Sequence, residues 1–264
     1  MSRVSLIMTT YNSIEHIRQT LQSALSQDYP DLEIVIADGG STDGTVDVIR
    51  EYAHQCEMKR ESGKSSARIV WKSEKDHGIY DGMNRAIGRS TGAVIAVFND
   101  LFTRTDAVSR MVETIQEGDR KFGEGFCIGA HADLAYMDGE RVVRKWVMGE
   151  GRIEEGWLPA HPTMYLKRRV YEKYGQYDLS FASSSDYEYM VRILKDPQNH
   201  LAYLHEELIH MFYGGTSNNG ISGYWRNTKE AYEALRKNEI SGAGRIILKR
   251  IVRTILQFEE AVRK

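Results

Sequence analysis

The stretch VSLIMTTYN at residues 4–12 and the stretch EIVIADGGSTDGT at residues 33–45 decide the fold of this chain. Each contains a short apolar run and ends in polar residues and glycines. Between the two runs, Ile17, Leu21 and Ala24 recur at helical spacing. A buried strand, a helix and a second buried strand form a βαβ unit. The sequence therefore predicts an α/β fold with a mostly parallel central sheet and helices on both faces.

The same alternation continues further along the chain. Ile69–Trp71 and Val94–Phe98 are expected as the third and fourth strands, with a helix over Ile79–Ile87 between them. Beyond residue 120, Ile128–Tyr136 and Arg141–Val147 flank an Asp-Gly pair, which predicts a β-hairpin. Further helices are expected over Val108–Ile115, over Asp186–Leu194, over Tyr224–Leu235 and from Arg245 onwards.

We expect one compact domain over residues 1–240, because no Pro- or Gly-rich linker divides this part of the chain. Its first half, residues 1–102, has the Rossmann-like alternation typical of nucleotide binding, and residues 103–240 form a mixed half. Residues 241–264 have the composition of a basic amphipathic helix and are treated as a separate tail.

Composition and charge exclude several classes of protein. Of the 264 residues 41% are hydrophobic, and the net charge of −2 supplies no basic field to hold nucleic acid. Cys56 and Cys127 form no Cys-x-x-Cys motif, which argues against a zinc site or a disulfide framework. The N-terminal apolar run is too short for a signal peptide, and no apolar stretch approaches the roughly 20 residues of a membrane span. We therefore expect a cytoplasmic protein.

A set of segments, taken together and in order, resembles a known family. Besides the two opening stretches, they are SEKDHGIYDGMN at 73–84, HPT at 161–163, GQYD at 175–178 and DYE at 186–188. Over about residues 3–217 the chain is similar to family 2 glycosyltransferases of the GT-A fold, in particular to bacterial members that build surface polysaccharides. This resemblance implies inverting transfer of a sugar from a nucleotide-diphosphate sugar to a glycan or a lipid-linked acceptor. It also implies that residues 103–240 are the acceptor-side half.

Residues after the first two strands suit a nucleoside. Tyr11 offers a flat apolar face for the base, and Asp38 can accept a hydrogen bond from a ring N–H or a ribose hydroxyl. The resemblance implies that nucleotide and donor binding involve Thr10, Tyr11, Asp38, Asp76, Asp81 and Asn99. A structural tyrosine and a turn-forming aspartate remain open as alternatives. Asp43 is expected to cap the following helix, and the helical spacing of Tyr80 and Met83 predicts core positions.

The metal site is where the chain departs from the family pattern. Members usually carry a D-x-D or Asn-x-Asp-Asp element after the fourth strand, whereas this chain has only Asn99-Asp100. A divalent cation would offset the charge of the leaving diphosphate, and Mg²⁺ needs only one or two protein ligands beside phosphates and water. The resemblance thus implies Asp100 as ligand of Mg²⁺ or Mn²⁺, with weak or lost metal dependence left open. His210 is a further candidate ligand, with a structural role as its alternative.

Transfer requires a base, because the acceptor hydroxyl loses a proton as it attacks the anomeric carbon. The resemblance assigns this role to Asp186, which opens a predicted helix; locally, a helix-capping carboxylate fits equally well. Glu188 is the second acid in the motif. The acceptor is expected near Trp157 and His161, with an ordinary core tryptophan as the alternative for Trp157. The segment YGGTS at 213–217 resembles a family loop that closes over the site.

The tail carries six basic and two acidic residues over positions 241–264. Ile247, Ile251 and Ile255 fall at helical spacing, so this basic amphipathic helix is able to lie in a membrane interface. Packing on the domain and a contact between two copies in a homo-oligomer are the alternatives. Lipid-linked acceptors, common in the family, favour peripheral contact at the inner face of the cell membrane.

The reduced Asn99-Asp100 element leaves one rival function, a nucleotide-sugar-binding protein without transferase activity.

Overall fold

The computed structural model describes residues 2–139, 141–212 and 220–262. Its amino-terminal half is a parallel sheet in the order β3-β2-β1-β4. These strands are β1 (Val4–Thr10), β2 (Leu32–Asp38), β3 (Arg68–Ser73) and β4 (Val94–Val97). They are joined by α1 (Ile17–Leu25), α2 (Thr45–Glu61) and α3 (Ile79–Arg89). All four predicted strands are confirmed, and β1 and β2 are almost completely buried, which explains their continuous apolar runs.

The rest of the sheet is mixed and continues in the order β4-β8-β6-β9-β5, with β7 paired to β6. The added strands are β5 (Leu101–Phe102), β6 (Cys127–Asp138), β7 (Arg141–Trp146), β8 (Tyr165–Lys167) and β9 (His200–Phe212). The predicted hairpin is confirmed as β6 and β7. The long β9, parallel to β6, was not predicted, because charged residues interrupt its apolar pattern.

Helices cover both faces of the sheet. On one face α1, α2 and α4 (Ala107–Phe122) pack against alternate strand residues such as Leu6 and Ile34. On the other face, α3, α5 (Arg168–Tyr174) and α6 (Ser185–Leu194) pack against Ile7 and Val35. Because alternate residues of a strand point to opposite faces, these two clusters together explain why β1 and β2 carry no polar face.

A third apolar cluster joins α6 to α7 (Gly220–Lys237) and α8 (Ala243–Val262). Ile246 and Ile247 of α8 are buried in it, whereas Leu248 is 62% exposed. The first turns of the expected tail therefore pack on the acceptor-side half rather than projecting from it. Among the described residues, no helix is long and apolar enough to cross a membrane.

The packing of α8 predicts unequal costs for two neighbouring substitutions. Ile247→Ala should lower the free energy of unfolding by about 2–4 kcal/mol, because it leaves a cavity in the third cluster. Leu248→Ala should change it by less than about 0.5 kcal/mol, because this side chain is exposed. Urea denaturation of both variants measures the difference, and equal costs would contradict the packing described.

Candidate active site

The site lies at the carboxyl ends of β1, β2 and β4, where two loops are tied together. The amide N–H of Asn12 donates to Ser41 Oγ at 2.8 Å, and Asn12 Oδ1 accepts the amide of Thr42 at 2.9 Å. Asn12 has a positive φ of 47°, which asparagine tolerates better than most residues. Asp43 accepts the amides of Ile14 and Thr45, both at 3.0 Å. The predicted local role of Asp43 therefore extends to joining the two loops.

Asp38 is 2% exposed and is held by hydrogen bonds from both sides. Its carboxylate accepts the hydroxyls of Thr10 at 2.9 Å and Ser73 at 2.6 Å, and the amides of Gly40 at 3.1 Å and Ser41 at 2.9 Å. Burial raises the pKa of Asp38, but the hydrogen bonds, led by the Ser41 hydroxyl, outweigh it and lower the pKa overall. Asp38 is thus held in its ionised form with the Thr10 hydroxyl bonded to it. The contact of these two residues with a nucleoside stays a prediction.

Tyr11, unlike the buried Asp38, is 66% exposed. It follows β1 directly, beside the loop that begins at Gly39. The alternative of a buried structural tyrosine does not fit this exposure. An uncovered aromatic ring at the end of a parallel strand suits stacking on a base.

Asp76 and Asp81 lie at the start of α3 in different surroundings. Asp76 faces the β2 loop so closely that a Cβ on Gly39 would come within 2.9 Å of its Oδ2. Asp81 accepts the amide of His77 at 3.0 Å and pairs with Arg85 at 2.8 Å. Burial raises the pKa of Asp81, but His77 and Arg85 lower it further than burial raises it. Asp76 is therefore the better placed of the two to meet a donor.

Asn99 and Asp100 follow β4 and face different partners. Asn99 forms two hydrogen bonds with Thr9: its side-chain oxygen accepts the Thr9 amide at 2.9 Å, and its side-chain nitrogen donates to the Thr9 hydroxyl at 3.1 Å. Asp100 is 9% exposed, and this burial raises its pKa to about 7, offset only in part by the amide of Phe212. His210 Nε2 is hydrogen-bonded to Glu207 Oε1 at 3.0 Å, which favours a structural role for this histidine over that of a metal ligand. Within the described ranges, no group of three or more His, Cys, Asp or Glu side chains could hold a metal.

Asp186 occupies the first turn of α6 and is half-buried. Ser184 occupies the N-cap position of this helix without a side-chain capping bond, and Asp186 lies two residues further on, so the helix-cap alternative does not describe Asp186. Its Oδ1 accepts the hydroxyl of Tyr80 at 2.8 Å. The preceding loop is fixed by Glu230 of α7, which accepts the amides of Ser183 and Ser184 at 2.9 Å each. Asp186 is thus held at a helix start without being used as its cap.

Glu188, the second acid of the motif, has a structural role. It is 2% exposed, pairs with Arg192 at 2.5 Å and accepts Asn238 Nδ2 at 3.0 Å. Its charge is therefore satisfied inside the protein, where a carboxylate without partners would be costly. Of the two acids in this motif, Asp186 is therefore the one left for a role in the site.

The two expected acceptor residues lie in different places. His161 Nε2 is hydrogen-bonded to the Tyr177 hydroxyl at 2.7 Å, and burial lowers the His161 pKa, opposed by the nearby Asp186. Trp157 is only 7% exposed, and its indole N–H donates to the carbonyl of Met148 at 3.0 Å. The structure thus favours the core alternative for Trp157, while His161 lies close to Asp186. The segment 213–217 lies outside the described residues.

Sequence reasoning missed an aromatic and cationic group on the β6–β7 hairpin. The Arg144 guanidinium lies 5.4 Å from the ring centre of Tyr136 and 4.7 Å from that of Trp146. Burial raises the pKa of Tyr136, the Arg144 charge opposes this rise, and the carboxylates of Asp100 and Asp186 add to it. Residues 136 and 144 face each other only through the hairpin register, which the sequence leaves undetermined.

Comparison with known proteins agrees with this architecture. The family model described as Glycosyl transferase family 2 matches residues 5–129. A PGL/p-HBAD biosynthesis glycosyltransferase from Mycobacterium bovis (strain BCG / Pasteur 1173P2) is 26% identical over 223 residues, covering 81% of this chain and 78% of the relative.

Solved structures show the same fold. S. aureus TarS 1-349 in complex with UDP-GlcNAc matches with a TM-score of 0.66 at 15% identity, covering 94% of this chain and 71% of that one. The chain spans 43% of the longer TarS structure. The mannosyltransferase PcManGT from Pyrobaculum calidifontis, in complex with GDP-Man and Mn²⁺, matches with a TM-score of 0.62 at 18% identity, covering 99% and 72%. Residues 5–129 thus match the model of family 2 glycosyltransferases, the relatives are named glycosyltransferases, and the chain has the fold of GT-A glycosyltransferase structures, as its motifs predict.

Proposed function

We propose that this glycosyltransferase moves a sugar, with inversion, from a nucleotide-diphosphate sugar to a glycan or lipid-linked acceptor in cell-surface polysaccharide synthesis. The observation that carries the proposal is the position of Asp186, a half-buried carboxylate in the first turn of α6. The carboxylates of both Asp186 and Asp100 act on the pKa of Tyr136 and raise it, which supports a site shared by the two acids. Relatives named for glycan biosynthesis support the choice of acceptor.

Asp186 is the proposed general base. It takes the proton of the acceptor hydroxyl as the oxygen attacks the anomeric carbon and the bond to the diphosphate breaks. A single displacement inverts the anomeric configuration and requires no covalent intermediate on the enzyme. Glu188 is a poor substitute, because Arg192 and Asn238 already occupy its carboxylate.

The donor is proposed to lie over the ends of β1 and β2. Tyr11 supplies the exposed ring for the base, and Asp76 lies against Gly39, whose missing side chain lets this carboxylate approach the backbone. TarS and PcManGT have been solved with UDP-GlcNAc and with GDP-Man, which makes both molecules suitable probes for this chain.

A divalent cation fits the chemistry of Asp100. A buried carboxyl whose pKa is raised to about 7 lacks a full counter-charge, and a cation would favour its ionised form. When bound, Mg²⁺ or Mn²⁺ would offset the negative charge of the leaving diphosphate, with phosphates and water completing its ligands. PcManGT, which has the same fold, has been solved with Mn²⁺.

The match to the glycosyltransferase family model and the relatives named glycosyltransferases argue against the rival function of a nucleotide-sugar-binding protein without transferase activity. The purified protein can be tested for binding of UDP and GDP, and for their release from sugar nucleotides in the presence of a broad panel of acceptors. Binding without any release would favour the binding protein over the transferase.

Replacing the two neighbouring acids separates catalysis from stability. Asp186→Asn should slow transfer by about 100-fold or more, because it removes the base, and should leave UDP or GDP binding unchanged. Glu188→Gln should instead lower the free energy of unfolding by about 1–3 kcal/mol, because it weakens the contact with Arg192. Release of nucleoside diphosphate from UDP-GlcNAc and GDP-mannose, together with urea denaturation, measures both effects. Normal transfer by Asp186→Asn would refute the assignment of the base.

Metal binding should depend on Asp100 and on pH. With UDP or GDP present, Mn²⁺ should raise the melting temperature of the wild type and have little effect on Asp100→Asn. Because the cation needs the ionised carboxyl and the pKa of Asp100 is raised to about 7, the Mn²⁺ effect should weaken as the pH falls from 8 to 6. Thermal-shift titrations measure this, and an equal Mn²⁺ effect in Asp100→Asn would show that the cation binds elsewhere.

Peripheral contact with an anionic membrane at the inner face of the cell membrane is part of the proposal. Lys249 donates to the carbonyl of Glu154 at 2.8 Å and Arg250 lies over Tyr187, so these two basic residues face the domain. The exposed face of α8 instead carries Leu248, 62% exposed, and Val252, 48% exposed, beside the exposed Arg245. Apolar and basic residues on one exposed helix face suit an anionic lipid surface.

Charge introduced on this face should therefore reduce membrane binding. Leu248→Glu with Val252→Glu should weaken sedimentation with vesicles containing phosphatidylglycerol by several-fold, because both changes remove apolar contact and add negative charge. Met58→Glu on α2, where Met58 is 56% exposed, is the matched control and should bind like the wild type. If the double variant still binds vesicles normally, lipid contact through α8 is wrong. If light scattering shows that it dissociates a dimer, this face joins two copies instead.

A further inference from the structure

Tyr80 connects the two halves of the enzyme at the proposed base. It is the second residue of α3, in the nucleotide-binding half, and is only 9% exposed. Its ring lies 5.9 Å from that of Tyr177, within the apolar cluster between the sheet and α6. Its hydroxyl leaves this cluster and donates to Asp186 Oδ1 at 2.8 Å. The helical spacing of Tyr80 correctly predicts a core ring but says nothing of the hydroxyl.

The hydroxyl acts as a permanent donor to the carboxylate. Burial raises the pKa of Tyr80 far above its ordinary value, and the charge of Asp186 raises it further. The phenol is therefore protonated at neutral pH. A donor fixed by a packed ring holds a carboxylate in one rotamer more firmly than solvent does, since few rotamers of the ring are available.

We propose that Tyr80 is a positioning residue, which holds Asp186 through Oδ1 so that Oδ2 takes the proton of the acceptor hydroxyl. The inference rests on the proposed role of Asp186 as base. The proposal also gives α3 two roles, because the helix that carries Tyr80 begins close to Asp76, at the proposed donor end of the site. Through Tyr80, the segment that meets the donor also sets the position of the base.

The effect of removing the hydroxyl can be isolated, because the other titratable groups around the pair stay in place. They are His161 on the turn His161–Thr163, Tyr177 before α6, Tyr136 on β6 and Glu230 on α7. Tyr189 provides a matched control within the same aromatic cluster. It lies three residues after Asp186, is 1% exposed, and its hydroxyl has no hydrogen-bond partner in the described part of the chain.

The experiment compares Tyr80→Phe with Tyr189→Phe, using release of nucleoside diphosphate from UDP-GlcNAc or GDP-mannose with Mn²⁺. Tyr80→Phe should lower kcat by about 10- to 100-fold, the size expected for one hydrogen bond to a charged group, and leave the donor KM unchanged. The acidic limb of its pH profile should move to higher pH, because the ionised carboxylate loses a donor. Tyr189→Phe should behave like the wild type, and Tyr80→Phe should add nothing in an Asp186→Asn background.

A substrate-free measurement accompanies these assays. Tyr80→Phe should be less stable than Tyr189→Phe in urea at pH 7, and the gap should narrow at low pH, where protonation of the carboxylate weakens the bond. The inference would be overturned if Tyr80→Phe had the kcat of the wild type and an unchanged acidic limb of the pH profile. It would also be overturned if Tyr80→Phe and Tyr189→Phe lost equal activity, or if their difference in stability did not depend on pH. If Asp186→Asn is inactive while Tyr80→Phe is normal, only the positioning role fails. If Asp186→Asn is fully active, the proposed base fails and Tyr80 with it.

Discussion

The buried carboxylate of Asp38 sets a constraint on everything around the site. A charge that is 2% exposed is tolerated only where donors surround it, and here the donors come from β1, from β3 and from the loop after β2. The same bonds that satisfy the charge fix the carboxyl ends of three parallel strands relative to one another. Tyr11 and Asp76 project from these ends, so their positions depend on this network.

The second constraint is the junction between the two halves, which α3 provides. Asn84 accepts the amide of Tyr177 at 2.9 Å and donates to its carbonyl at 2.8 Å, holding the segment that leads to α6. Four residues earlier, Tyr80 reaches Asp186 from the same helix. In the proposed function, the segment SEKDHGIYDGMN therefore carries residues for both the donor and the positioning of the base.

The parallel half could be predicted from sequence because its strands are buried on both faces and read as unbroken apolar runs. β9 could not, because Glu206 interrupts its pattern and finds partners far away, in Arg104 and Arg110. The same distinction holds at the site. Exposed Tyr11 and the acid at the start of α6 follow from motifs, whereas the bond between Tyr80 and Asp186 joins positions 106 residues apart. The burial of Trp157 also depends on tertiary packing, which no local pattern specifies.

The account rests on Asp186 acting alone as base in one displacement. The anomeric configuration of the product tests this most directly. NMR of the new glycosidic bond in the product should show the anomeric configuration opposite to that of the donor. Retention of the donor's configuration would require two displacements or a front-face path, and would contradict the account.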